Sequence, residues 1–149
     1  MTMCLRGIVR VALLGAAGLC AGAHAADGSV EPVSVRATAH FDFGRVTMRA
    51  QDRDALLSGV GAMKDVTWQS VTAVGHTDSI GSAAANRRLS DRRAEVVKGY
   101  LTQKGLDPKM IATRGLGPDE PVADNASADG RAQNRRTEVV FQGVRASAP

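Results

Sequence analysis

Three residues stand where their types could do chemistry: Asp78, Asn86 and Arg93. All lie within VTAVGHTDSIGSAAANRRLSDRRAEVVKGYL, residues 71–101, where a strand-like run enters a polar turn, Gly75-His76-Thr77-Asp78, and then a long helical pattern. At about 100° per residue, Leu89, Ala94, Val97, Tyr100 and Leu101 form one apolar stripe, and Asn86 and Arg93 fall inside it. Arg87, Arg88, Asp91, Arg92, Glu95 and Lys98 spread over the opposite side. A guanidinium on the core-facing side of a helix is costly unless it meets an anion. Asp78 can come back across the helix N-terminus through the Ile80-Gly81 turn. Carboxylate and guanidinium then flank a ligand that carries both an ammonium and a carboxylate. The open amides at the helix start add donors, and Asn86 adds an amide on the face of Arg93. The alternative is an internal ion pair of Arg93 with Asp78 or Asp42, and the spacing leaves both open.

The elements that must position these residues are legible in the pattern. Val33, Val35, Ala37, Ala39, Phe41 and Phe43 share one parity, which predicts a first strand over 33–43 closed by Gly44. Helical spacing of Ala55, Leu56, Gly59, Val60 and Met63 predicts a helix over 52–63, with acids near its start to suit the helix dipole. A second strand over 66–74 includes Trp68. Ser82 is the expected N-cap of a helix running to Lys104, with Gly105 as its stop. A short third strand over 110–116, a punctuated loop, a short helix over 127–133 and a last strand over 136–144 complete the order β-α-β-α-β-(α)-β. That order predicts an α/β (α+β) two-layer sandwich, with the helices packed on one face of a mixed sheet.

At these positions the chain resembles a known family. Asn86-x2-Leu89-Ser90-x2-Arg93-Ala94-x2-Val97-x3-Leu101 is similar to the peptidoglycan-association motif of the OmpA C-terminal-like domain, the OmpA/MotB/Pal type. Phe41-Asp42-Phe43, Gly75-His76-Thr77-Asp78, Gly115-Leu116-Gly117 with Pro121, and Asn134-Arg135-Arg136 extend the resemblance over 33–144. The resemblance implies non-covalent binding of peptidoglycan through the meso-diaminopimelate residue of the stem peptide. Asp78 and Arg93 would grip its zwitterionic end, carboxylate to ammonium and planar guanidinium to carboxylate. Asn86 and Asp42 would line the same site, Thr77 and Ile80 would add turn contacts, and Arg135 would either reach the ligand or stay solvated. Ile80 replaces a hydroxyl carried by relatives, and Thr137 replaces a β-branched apolar residue.

The first residues point to a compartment. Arg6 and Arg10 precede the apolar run 11–19 and then Ala23-His24-Ala25, the pattern of a cleaved secretory signal peptide over 1–25. The run is too short to span a bilayer, which needs about 20 apolar residues. Residues 26–32 read as a flexible leader, 33–144 as the binding domain and 145–149 as a tail. Leu19 stands where lipidation of Cys20 would want a small residue, so the expected product is a periplasmic protein, linked to the outer membrane only through partners. Both cysteines, Cys4 and Cys20, go with the export segment, which leaves no disulfide and no thiol nucleophile.

Composition excludes other classes. Without Arg6 and Arg10, 17 basic residues face 15 acids, a net +2 too small to argue for nucleic acid. Five aromatics are too few for a base-stacking platform. His76 and His40 lack an acidic set spaced for zinc, and His76 reads as structural. Arg87, Arg88 and Arg92 read as an exposed basic face. No nucleophile sits beside a base, so a binding module without cofactor or metal is expected rather than an enzyme. The second functional reading is an envelope interaction protein that anchors a larger outer-membrane-associated complex to the cell wall.

Overall fold

The structure, a computed structural model, describes residues 29–146. The export segment, both cysteines and the last three tail residues lie outside the described residues. Strands β1 (Val30–His40), β2 (Val66–His76), β3 (Ile111–Gly117) and β4 (Arg136–Ala146) form one mixed sheet in the order β1-β4-β2-β3. β4 is antiparallel to both β1 and β2, and β2 is parallel to β3. Helices α1 (Ala50–Gly61) and α2 (Ala83–Gln103) share one face of it, and α3 (Ala128–Asn134) precedes β4. Leu56 and Val60 of α1 and Ala94, Val97 and Leu101 of α2 meet Ala39, Val71, Ala73, Val139 and Phe141 in a single core. Trp68 joins its edge, its ring edge-on to Phe141 at 6.0 Å between centroids. No helix among the described residues is long and apolar enough to cross a membrane.

Several boundaries differ from those expected. Residues 30–32 pair with β4 (Val30 with Ala146, Glu31 with Arg145, Pro32 with Val144), so they are strand rather than flexible leader. The extended β4 offers these partners and takes residues 145–146 out of the tail. At its other end β1 stops at His40, three residues short of the alternation. Phe41 makes an isolated bridge to Met48, and the chain turns as the Arg45 N–H donates to the Asp42 carbonyl at 3.0 Å, with Gly44 at φ +64°. Phe41 is therefore buried, whereas Phe43, expected on the same face, is 60% exposed. In α1 the buried residues are Asp52, Leu56 and Val60, while Ala55 faces solvent. The Asp52 carboxylate accepts the His40 N–H at 2.8 Å and pins the end of β1.

α2 is capped as its sequence dictates. The Ser82 hydroxyl accepts the Ala85 N–H at 3.2 Å, and Gly105 at φ +102° ends the last turn. Its height above the sheet is set by glycines. A Cβ at Gly75 would lie 2.0 Å from the Ser90 carbonyl oxygen, and one at Gly115 would lie 2.4 Å from the Asp91 nitrogen and the Ser90 hydroxyl. Across this contact the Gly117 N–H donates to Ser90 Oγ at 2.9 Å, and the Gly115 N–H donates to Asp91 Oδ1 at 2.7 Å. The helix is thereby fixed in register on β2 and β3, which determines where Asn86 and Arg93 point.

Gly75→Ala should lower stability in urea unfolding by about 1–3 kcal/mol, because helix backbone cannot yield to the added methyl. Gly99→Ala, within α2 itself but with open space around it, should leave stability level or raise it by about 0.5–1 kcal/mol. Equal behaviour of the two variants would contradict this account of the packing.

Candidate functional site

The C-terminal ends of β1, β2 and β3 and the start of β4 lie at one pole of the sheet, where His40 is opposite Arg136, Gly75 opposite Thr137 and His76 opposite Gly117. Arg93 reaches this pole from α2 and is fully buried. Its Nε donates to the Arg45 carbonyl at 2.9 Å, Nη1 to the His76 carbonyl at 2.9 Å and Nη2 to the Asp42 carbonyl at 3.2 Å. Its guanidinium lies 5.0 Å from the centroid of the Phe41 ring. A guanidinium carries five N–H groups, so one on each terminal nitrogen is left for another acceptor. Burial pushes its pKa down to about 10, Arg135 adds to the depression and Asp78 opposes it, so Arg93 stays cationic at neutral pH. Neither carboxylate weighed as its internal partner takes that role. Backbone carbonyls hold the cation instead.

Asp78 is also buried, in the turn between β2 and α2. Its Oδ1 accepts the Ile80 N–H at 3.0 Å, and its Oδ2 pairs with Arg135 Nη1 at 3.1 Å. Arg135 is fixed in turn by donation from Nε to the Phe41 carbonyl at 3.1 Å. Asn86 Nδ2 donates to the Ile80 carbonyl at 3.1 Å and lies 3.5 Å from the Asp78 carbonyl, which folds the turn back over the helix start. Gly81 at φ +103° makes that fold-back possible. Thr77 ties its hydroxyl to the Asp78 carbonyl at 2.9 Å and its N–H to the Gly117 carbonyl at 2.9 Å.

These groups enclose a pocket of about 70 Å³, lined by Phe43, Gly44, Thr77, Asp78, Ile80, Asn86, Leu89, Arg93 and Arg135. Six of the seven residues expected from sequence (Asp78, Arg93, Asn86, Thr77, Ile80 and Arg135) meet there. Asp42 does not line the pocket. Its exposed carboxylate pairs with Arg49 at 3.0 Å, and only its carbonyl serves the site, because the chain turns at this residue instead of continuing β1. Arg135 is neither solvated nor free but holds Asp78. Sequence reasoning missed Phe43, Gly44 and the pocket-facing role of Leu89, which the helical pattern places only in the apolar stripe. The early end of β1 brings the first two in, and no local pattern announces that end.

Neighbouring residues take other roles. Arg136 points to the opposite face of the sheet from Arg135, where Nε donates to Glu138 Oε1 at 2.8 Å and Nη2 to the Glu120 carbonyl at 3.2 Å. Arg87 pairs on the surface with Asp119 at 3.7 Å. Asn134 is fully buried and accepts the Val122 and Ala123 N–H groups, while its own amide donates to Asn125. The Asn125 side-chain oxygen, Oδ1, in turn accepts the Ser79 N–H beside Asp78. No cluster of potential metal ligands occurs among the described residues.

His76 is buried with both ring nitrogens unpartnered. Burial first, and then the Arg136 cation, lower its pKa below the ordinary 6.5. Below pH 6.5 the unfolded chain takes up a proton that the fold resists. Stability therefore falls as pH drops below about 6.5 and levels off beneath the folded pKa. Melting temperatures between pH 7 and 5 should decline, and His76→Gln should make the decline shallower. An unchanged slope would assign it to other groups.

The OmpA family's sequence pattern matches residues 40–135, which contain every residue of this pocket. Outer membrane protein A of Bordetella avium is 42% identical over 113 residues, 76% of this chain and 58% of that protein. The chain thus spans little more than half the length of that relative. Peptidoglycan-binding protein ArfA of Mycobacterium tuberculosis is 49% identical over 70 residues, 47% of this chain and 22% of ArfA. Among solved structures, the peptidoglycan-associated lipoprotein of Burkholderia pseudomallei superimposes with a TM-score of 0.62 at 26% identity, covering 70% of this chain and 89% of that one. The matched sequence pattern and the superimposed fold agree: the chain belongs to the OmpA family.

Proposed function

We propose that this protein binds peptidoglycan non-covalently in the periplasm, and that the pocket takes the zwitterionic end of the diaminopimelate residue in the stem peptide. One observation carries the reading: two guanidiniums, Arg93 and Arg135, and one carboxylate, Asp78, converge on a half-open pocket of about 70 Å³, too small for a whole residue. A ligand carboxylate meets the remaining N–H groups of Arg93, and a ligand ammonium meets Asp78 in competition with Arg135. The names of ArfA and of the Burkholderia lipoprotein support the same ligand class. The secretory pattern of residues 1–25 supports the compartment. The Thr77 hydroxyl is bound to the Asp78 carbonyl and the Asp78 carboxylate to Arg135, while N–H groups of Arg93 remain for a ligand, an arrangement that grips rather than attacks a bond.

Arg93 also ties three backbone segments together, so Arg93→Ala compromises the fold along with the site. Asp78→Asn and Arg135→Gln are cleaner probes, provided melting curves show that they remain folded. Either should weaken co-sedimentation with purified sacculi at least tenfold, since a charge-assisted contact is worth about 1.5–3 kcal/mol. The wild-type protein should prefer stem tripeptides carrying diaminopimelate over those carrying lysine, whose side chain ends in an ammonium alone. Equal affinity for the two would sink zwitterion recognition, and release of soluble wall fragments would replace binding with hydrolysis.

A further inference from the structure

At about 70 Å³ the pocket is far below the roughly 300–1,000 Å³ of clefts that enclose a small molecule. Whatever enters must leave most of its atoms outside. Directly beside it lies a second compartment of about 280 Å³, lined by Phe43, Ile80, Ala128, Arg131 and Arg135. The two spaces share Phe43, Ile80 and Arg135, so a ligand held in the first extends into the second. Phe43 and Ile80 are 60% and 48% exposed. Single exposed apolar residues need no explanation, but two that line the same mouth form a patch.

Both side chains are held out by the groups that build the pocket. Arg93 takes the carbonyls of Asp42 and Arg45, on either side of Phe43-Gly44. The N–H of Ile80 is bound by Asp78 and its carbonyl by Asn86. Their backbones are thus fixed before a ligand arrives, and burying them costs little ordering entropy. The second compartment contains no carboxylate; Arg135 Nη1 pairs with Asp78, Arg131 Nη1 donates to the carbonyls of Asn125 and Ala126, and Phe43, Ile80 and Ala128 supply an apolar wall. It suits an apolar chain and offers nothing to a second ammonium.

We propose that this compartment is a subsite for the methylene chain that carries the zwitterion, with Phe43 and Ile80 as its specificity-determining residues. It rests on the zwitterion reading of the adjoining pocket. The subsite makes the protein select an amino-acid head that terminates an aliphatic chain over the same head without one. Each methylene it covers contributes up to about fourfold in affinity.

Titrations followed by NMR with glycine, the bare zwitterion, and with meso-diaminopimelate test this. Wild-type protein should bind diaminopimelate at least tenfold more tightly than glycine. Ile80→Ser and Phe43→Ala, both at exposed positions, should cut diaminopimelate affinity about three- to tenfold and glycine affinity by less, so that the preference for diaminopimelate narrows. An unchanged affinity for diaminopimelate, or an equal loss for both ligands, would overturn the subsite while an Asp78-dependent interaction kept the pocket. Failure of the wild-type protein to bind either ligand would overturn the pocket reading and the subsite together.

Discussion

A cation taken out of water must be matched by acceptors, and in this fold the burial of Arg93 is the condition on which the other features depend. Its three hydrogen bonds go to carbonyls from the turn after β1 and the end of β2, while its own backbone belongs to α2. Those segments are distant in sequence and would splay apart without a shared donor. Phe41 closes the underside of the guanidinium, so the cation is fixed on a ring and edged by dipoles. Satisfying it with carbonyls rather than a carboxylate has a consequence. Neutral acceptors leave its charge uncancelled, and the pocket remains positive where it faces outward.

The second charge pair works differently. Asp78 is neutralised by Arg135, yet both belong to the pocket wall and both keep further hydrogen-bonding capacity. A zwitterion entering between them can exchange one set of ion pairs for another without leaving a buried charge alone. Such an exchange favours recognition of a particular charge arrangement over raw affinity, because each new contact replaces an old one. Geometry of this kind requires a rigid frame. The glycine contacts between α2 and strands β2 and β3 provide it, since backbone packed against backbone has little freedom to shift.

The chain's periodicities carried most of the elements. Alternation in β1, the Ser82 cap and the Gly105 stop are local signals, and the cap and the stop are enforced by interactions within a few residues of themselves. The places where local reading failed are those where a distant group intervened. β1 ends three residues early because Arg93, about fifty positions away, takes the carbonyls around Phe43. For the same reason Asp42 turns its carboxylate to Arg49 and solvent, and residues 30–32, expected to be leader, become strand because the far end of β4 is long enough to pair with them.

What the sequence alone determined was the inventory: a carboxylate in a turn, an amide and a guanidinium on the core side of one helix, and the α/β order that carries them. Residue type and helical phase are sufficient for that, because both are properties of contiguous chain. The partners were decided only by the tertiary structure. Arg135 rather than Arg93 holds Asp78, carbonyls rather than carboxylates hold Arg93, and Phe43 and Ile80 stand at the mouth. Pairing depends on which strand ends share a pole of the sheet and how closely α2 approaches them, and those distances exist only once the sheet has closed.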